Sequence, residues 1–149
     1  MVDGTSIRVR KARRGDGERI AQLSGELGYP ASAAQIATRL RQLKPASKHA
    51  VFVAESSGAG DVVGWVHVSV SHLLESDLRA EVNGLIVAEG QRSAGAGAKL
   101  LEAAEEWARR RGCLGMNVRS NVIRERAHKF YERQGYEHYK TQKAFRKTL

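Results

Sequence analysis

Between Glu81 and Arg111 the chain runs from an apolar strand (Leu85, Ile86, Val87) through a short polar turn and the run Arg92-Ser93-Ala94-Gly95-Ala96-Gly97 into a long amphipathic helix. A strand that feeds a glycine-containing loop and opens a helix is a phosphate-binding device. The first helical turn offers N–H groups without helical partners, the macrodipole puts its positive end there, and glycines let an anion approach the backbone. Leu114, Met116 and Val118 alternate beyond the helix as a further strand, so the segment reads as a β-α-β unit with parallel strands. Which phosphate ligand it holds decides the function.

The 149 residues read as one domain, 1–149, with 42% apolar and 28% charged residues, as in a globular chain. No run approaches the roughly 18 apolar residues that a membrane span needs. Arg8, Arg10, Lys11, Arg13 and Arg14 interrupt any apolar core of the signal-peptide kind, and the single Cys113 has no partner for an internal disulfide. A cytoplasmic setting is the expectation. The formal net charge of +9, from 25 basic and 16 acidic side chains, draws anions from a distance. Nucleic acid and a polyphosphate cofactor both suit it.

Upstream of the loop, Ile7 and Val9 alternate with arginines as a first strand. Asp16 reads as the N-cap of a helix carrying Ile20, Leu23 and Leu27, and a second helix follows Ser32 with Ile36, Leu40 and Leu43 before Pro45. Strands are predicted over 50–55 and 62–70, the latter with Val62, Gly64, Val66, Val68 and Val70 on one face, and again from about Ala80 to Val87. The helix after Gly95 carries Leu100, Leu101, Ala104, Trp107 and Ala108 on one stripe, with Glu105–Arg109 and Glu106–Arg110 paired outside. A further helix spans 126–133 and is capped by Gly135. The tail from Tyr136 to Leu149 has enough Tyr, Phe and Thr for one or two closing strands. The fold class is α/β, a single mixed, mostly antiparallel sheet of six to seven strands with helices on both faces.

Two common nucleotide loops fail on inspection. Gly90 and Gly95 have the Walker spacing, but Ala96 and Gly97 follow where Lys and Ser or Thr are needed. The dinucleotide fingerprint needs Gly or Ala three places beyond Gly97, where Leu100 stands. Arg92, Gly95 and Gly97, followed by Leu100-Leu101, instead resemble the loop of the GCN5-related N-acetyltransferases, the GNAT family. Downstream, Ser120-Asn121, Arg124, Ala127, His128, Phe130-Tyr131-Glu132, Gly135 and Tyr136 resemble that family's second motif. The resemblance covers residues 80–140 closely and the rest through its order of elements. Ser93 departs from a common Gly, and Ala88-Glu89 from a common Asp-Pro; neither removes a backbone donor.

The resemblance implies acetyl-coenzyme A as cosubstrate; no metal is expected, because the residues lack metal-ligand spacing. It assigns to the cofactor the strand end Leu85, Ile86 and Val87, the loop Arg92, Ser93, Ala94, Gly95, Ala96 and Gly97, and Asn121 on the amide arm. It assigns to Glu81 the role of base toward the amine, directly or through water, and to Tyr131 that of the acid that reprotonates the thiolate. Asn83-Gly84 inside an apolar strand marks a bulge, with a donor near Leu85 for the developing oxyanion. The acceptor pocket is expected from residues 28–48 and the C-terminal strands.

Other residues read blandly. His67, His72 and His128 have no metal-ligand spacing with one another or with Cys113. Arg109-Arg110-Arg111 complements a helix dipole, and Trp65 and Trp107 are packing residues. The leading function is therefore N-acetyl transfer to a primary amine, small-molecule or peptide, by direct transfer in a ternary complex, with a homodimer as the assembly relatives often adopt. The alternatives are a coenzyme A-binding sensor without turnover and a basic nucleic-acid-binding module. For the latter, Tyr136, Tyr139, Lys140, Lys143 and Phe145 offer only a faint interleaving of aromatic and basic residues.

Overall fold

The computed structural model of the chain describes residues 6–26, 28–58 and 60–149, with 92 and 93 described by backbone alone. It divides into two compact units, one ending at Val118 and one running from Arg119 to Leu149. Leu27, expected in the first helical stripe, lies outside the described residues.

The first unit holds strands β1 (Ile7–Lys11), β2 (His49–Ser56), β3 (Val62–Ser71), β4 (Arg79–Val87) and β5 (Met116–Val118). Its helices are α1 (Gly17–Glu26), α2 (Ala33–Gln42) and α3 (Ala96–Arg110). The sheet order is β1-β2-β3-β4-β5. All neighbours are antiparallel except β4 and β5, which are parallel as a β-α-β unit requires. Leu114, expected in the last strand, is exposed ahead of it.

Strand alternation sorts the core into two layers. Val66, Val68, Ala80 and Val82 are buried, as are Leu100, Leu101, Ala104 and Trp107 of α3, which packs against β2, β3 and β4. On the other face the row Val53–Trp65–Ile86 crosses three strands and clusters with Ile20 and Leu23 of α1. Ile36 and Leu40 of α2 pack against the same cluster. Helices thus cover both faces. Ser32 caps α2 by accepting from the Gln35 N–H at 3.1 Å, and Gln35 Oε1 accepts from the Ser32 N–H at 2.9 Å. On α3, Glu106 accepts from Arg110 at 3.2 Å, the expected spacing, and also from Arg109 at 3.5 Å.

Asp16 does not cap α1. It closes a short 3-10 turn, Arg14–Asp16, ahead of the helix. Its carboxylate accepts two bonds of 2.9 Å from the Arg10 guanidinium and one of 2.6 Å from the Arg13 N–H. A cation aimed from β1 outcompetes the helix's own donors for that carboxylate.

The second unit contains α4 (Glu125–Arg133), followed by Gly135 at φ +91°. The closing strands expected over 136–149 do not form, and the sheet among the described residues has five strands rather than six to seven. Every residue from 137 onward is exposed, Tyr139 and Phe145 included. Aromatic content favours a strand only where a neighbour offers a ladder and a face to cover.

Candidate active site

The glycine loop has the geometry of an anion cradle. β4 ends at Val87, a 3-10 turn spans Glu89–Ala94, and Gly95 adopts φ +82°, ψ +10° as the N-cap of α3. That left-handed conformation suits glycine, which lacks the Cβ that would clash there. The first helical bond runs from the Lys99 N–H to the Gly95 carbonyl at 3.1 Å. The amides of Ala96, Gly97 and Ala98 precede it, so α3 supplies them no i−4 carbonyl. The backbone here fits a diphosphate. The side chains of Arg92 and Ser93 lie outside the described residues.

β4 carries the expected bulge. His67 pairs with Gly84 and Val68 with Val82, which leaves Asn83 as the extra residue. The Asn83 amide donates to Ser69 Oγ at 2.8 Å and fixes the irregularity to β3. A Cβ on Gly84 would lie 2.7 Å from the Trp65 ring, so only glycine leaves that ring where it is. Pairing with β5 covers Ala80, Glu81 and Val82 alone; Asn83 to Ile86 continue beyond it. Six residue steps lead from Glu81 to Val87, or roughly 20 Å of strand. An extended thiol-bearing arm could lie along that length.

Register also assembles a polar patch that alternation within single strands does not reveal. His49, Ser69 and Glu81 form one row across β2, β3 and β4. They share the face of Val53, Trp65 and Ile86. His67 occupies the next row, and its Nε2 lies 3.3 Å from His49 Nδ1 with the rings stacked at 5.6 Å. Burial, with the neighbouring His49 acting in the same direction, pushes the His67 imidazole down to about 4. His67 is neutral near pH 7 and can exchange one hydrogen bond with its neighbour. Glu81 is half-buried within this patch.

In the second unit, Tyr131 is half-buried on α4 and its ring packs edge-on to Phe130 at 5.2 Å and tilted against Tyr136 at 5.8 Å. Burial raises its phenol above the ordinary 10, and the Arg124 cation only partly opposes this. The group is fully protonated at neutral pH, as an acid must be. Asn121 is exposed and built into a turn: its Oδ1 accepts from the Ile123 N–H at 3.1 Å, and its carbonyl from the Arg124 N–H at 3.0 Å.

The sequence-predicted residues therefore fall into two sets. Glu81, the bulge, Leu85–Val87 and the Arg92–Gly97 loop lie on one continuous strand-turn-helix of the first unit. Asn121 and Tyr131 belong to the second. His49 and the polar row escaped the sequence because their proximity depends on cross-strand register. Cys113 precedes β5; burial raises its thiol, and Arg111 opposes this. Among the described residues no group of three or more His, Cys, Asp or Glu could hold a metal, and no helix is long and apolar enough to cross a membrane.

Comparison with known proteins places this geometry. The family model described as acetyltransferase (GNAT) matches residues 19–136, which take in parts of both units. An aminoalkylphosphonate N-acetyltransferase of Salmonella typhimurium is 35% identical over 88 residues. That match spans 57% of this chain and 57% of the relative, so it covers just over half of either. Among solved structures, the aminoglycoside N-acetyltransferase AAC(6')-Iy in complex with CoA superposes with a TM-score of 0.85 at 18% identity, covering 100% of this chain and 99% of that one. Glucosamine-6-phosphate N-acetyltransferase from Arabidopsis thaliana gives 0.82 at 18% identity, covering 95% and 98%. At such identities the likeness is one of fold.

Proposed function

Because the chain belongs to the GNAT family of acetyltransferases, we propose that it transfers an acetyl group from acetyl-coenzyme A to a primary amine, directly and within a ternary complex. Both units would act as one catalytic domain over 1–149. The observation that carries this reading is the cradle at the start of α3, where Gly95 turns left-handed and three amides precede the first helical bond. Its likeness to a CoA-bound fold supports the same cosubstrate.

Acetyl-coenzyme A, when bound, supplies the thioester carbon to which the amine nitrogen bonds and the thiolate that departs. The cradle amides hold the diphosphate through backbone N–H donors and the positive end of the α3 dipole. The strand end Leu85–Val87 guides the thiol-bearing arm toward the bulge, and an amide there, near Leu85, stabilises the oxygen as its charge develops. Asn121 supports the amide arm.

An alkylammonium holds its proton up to about pH 10, so attack needs that proton removed. Glu81 accepts it, directly or through water, from a place on the strand that leads to the cradle. Tyr131 gives a proton to the departing thiolate; its raised phenol keeps it charged with that proton until the sulfur becomes anionic. The N–C bond forms, the C–S bond breaks, and one proton passes from nitrogen to base while another passes from phenol to sulfur.

The test pairs two measurements on the full chain. Calorimetric titration should show coenzyme A binding at one site, and thiol release from acetyl-coenzyme A should depend on an added primary amine. Binding without amine-dependent release would leave a sensor. Tight binding of DNA with none of coenzyme A would overturn the reading.

A further inference from the structure

A crevice of about 310 Å³ opens between the end of β1, the start of β2 and the inner side of α2, and it is strongly cationic. Lys11, Arg13 and Arg14 line it from the β1 end, Arg41 from α2, and His49 from β2, over an apolar floor that includes Leu40. No carboxylate is among its lining residues. Among the described residues, none of the four long cations forms an ion pair. The nearby Asp16 is committed elsewhere, to Arg10 and the Arg13 amide. Four cations around one concavity, of which only Arg13 shares the field of Asp16, repel one another, and an anion placed there relieves that repulsion.

The crevice also leads somewhere. His49 borders it and heads the row His49–Ser69–Glu81, which crosses to the bulged strand on the same sheet face. Two strand spacings, roughly 10 Å, separate the ends of that row. Long Arg and Lys side chains can shorten the distance further.

Resting on the acetyltransferase reading above, we propose that the acceptor is a primary amine bearing an anionic group, carboxylate or phosphate. Its anion is held by Arg13, Arg14, Arg41 and Lys11 in the crevice, and its amine is delivered along the His49 row to Glu81. Guanidinium forks suit a carboxylate or a phosphate through paired N–H donors. The same field repels a polycationic amine. The acceptor is thereby selected by charge at one end and by reactivity at the other.

Acceptors of matched length separate the end groups: 6-aminohexanoate, 4-aminobutyl phosphate, hexylamine and 1,6-diaminohexane. The two anionic amines should exceed hexylamine in kcat/KM by at least about tenfold, with the diamine at or below hexylamine. The relative size of the carboxylate and phosphate advantages identifies the preferred anion. Arg13→Gln combined with Arg41→Gln should cut the anionic-to-neutral ratio about tenfold, mainly through KM, while Arg109→Gln at the exposed end of α3 leaves the ratio unchanged. Inorganic phosphate should shift the His49 ring resonances of the wild-type protein, and the double variant should lose that shift. Hexylamine or diaminohexane turning over as well as both 6-aminohexanoate and 4-aminobutyl phosphate would overturn the anion site while leaving acetyl transfer standing. Absence of thiol release with every amine, in protein that does not bind coenzyme A, would instead overturn the acetyltransferase reading on which the site depends.

Discussion

Replacing Gly84 by alanine tests how firmly the bulge of β4 is held. A Cβ there would sit 2.7 Å from Cη2 and 2.8 Å from Cζ3 of Trp65. Carbon atoms in ordinary contact stand about 3.5–4.0 Å apart, so ring or strand must move by roughly 1 Å. The ring has little room to yield. Val53 and Ile86 flank it in its own row, and it packs on the cluster they form with Ile20 and Leu23. Overpacking of this kind costs about 1–3 kcal/mol, which for a chain of this length lowers the melting temperature by about 3–10 °C.

Gly25→Ala in α1 supplies the opposite sign. Nothing lies within 4 Å of a Cβ at that site, and an alanine in a helix restricts the unfolded chain, so a gain of about 0.4–1 kcal/mol follows. Trp65→Phe removes the ring atoms that meet Gly84 and should cost about 1–3 kcal/mol by itself. Combined with Gly84→Ala, the new methyl fills part of the vacated space, and the double variant should be more stable than the sum of the two by at least about 1 kcal/mol. Thermal melts followed by circular dichroism, with urea titrations, read all four proteins. Strict additivity of Gly84→Ala and Trp65→Phe, or a Gly84→Ala protein that melts like wild type, would refute the steric account.

Glu81→Gln should lower kcat/KM at neutral pH about 10- to 100-fold and displace the pH–rate profile toward alkaline values; a profile of unchanged height and shape would assign the proton to another base. Tyr131→Phe should reduce kcat about 100-fold while coenzyme A affinity, by calorimetry, stays within about threefold; an unchanged kcat would remove the acid role. Asp16 titrates below its ordinary range because of the Arg10 guanidinium, so its stabilisation is present above about pH 4 and is lost as pH falls through its lowered value. Asp16→Asn should therefore cost about 2–3 kcal/mol at pH 7, less than a fully buried pair because Glu55 still holds Arg10 at 3.0 Å, and progressively less in urea titrations as pH falls below about 4. His67 is neutral in the fold down to about pH 4 but takes a proton near 6.5 when unfolded, so acidification favours the unfolded chain across that interval. Between pH 6.5 and 5 the wild type should lose up to about 2 kcal/mol relative to His67→Asn, and parallel curves would show the imidazole to be solvated.

Local features carried most of what could be read in advance. The strand, turn and helix from Arg79 to Arg110 are contiguous, and the properties that define them sit within a few residues of one another: an apolar run, a left-handed glycine, an amphipathic stripe. The bulge was legible for the same reason, since Asn83-Gly84 interrupts an otherwise apolar strand. Two misreadings trace to missing partners. Asp16 suited a helix N-cap until β1 delivered Arg10 to it, and the 136–149 tail has strand-forming residues that form no strand among the described residues. Propensity ranks what a segment can do, while the nearest stronger partner decides what it does.

The proposed cofactor half of the site and the proposed acceptor half differ in kind, and this explains why the first could be read residue by residue and the second only as a span, 28–48 and the tail. A diphosphate is gripped by backbone amides, which every sequence possesses; what must be encoded is only the turn that exposes them, and Gly95 and Gly97 mark it. An acceptor is chosen by side chains, and those proposed here come from β1 and the turn after it, α2, β2 and β4, separated by up to 70 positions between Lys11 and Glu81. Nothing in the spacing of Arg13, Arg41 and His49 announces that they face one crevice, because each is also an ordinary surface residue of its own element. Their shared field exists only after β1 pairs with β2 and α2 closes over the strand ends. On the proposed reading the cofactor cradle is thus written in one short segment, whereas the charge of the acceptor amine is written in the topology.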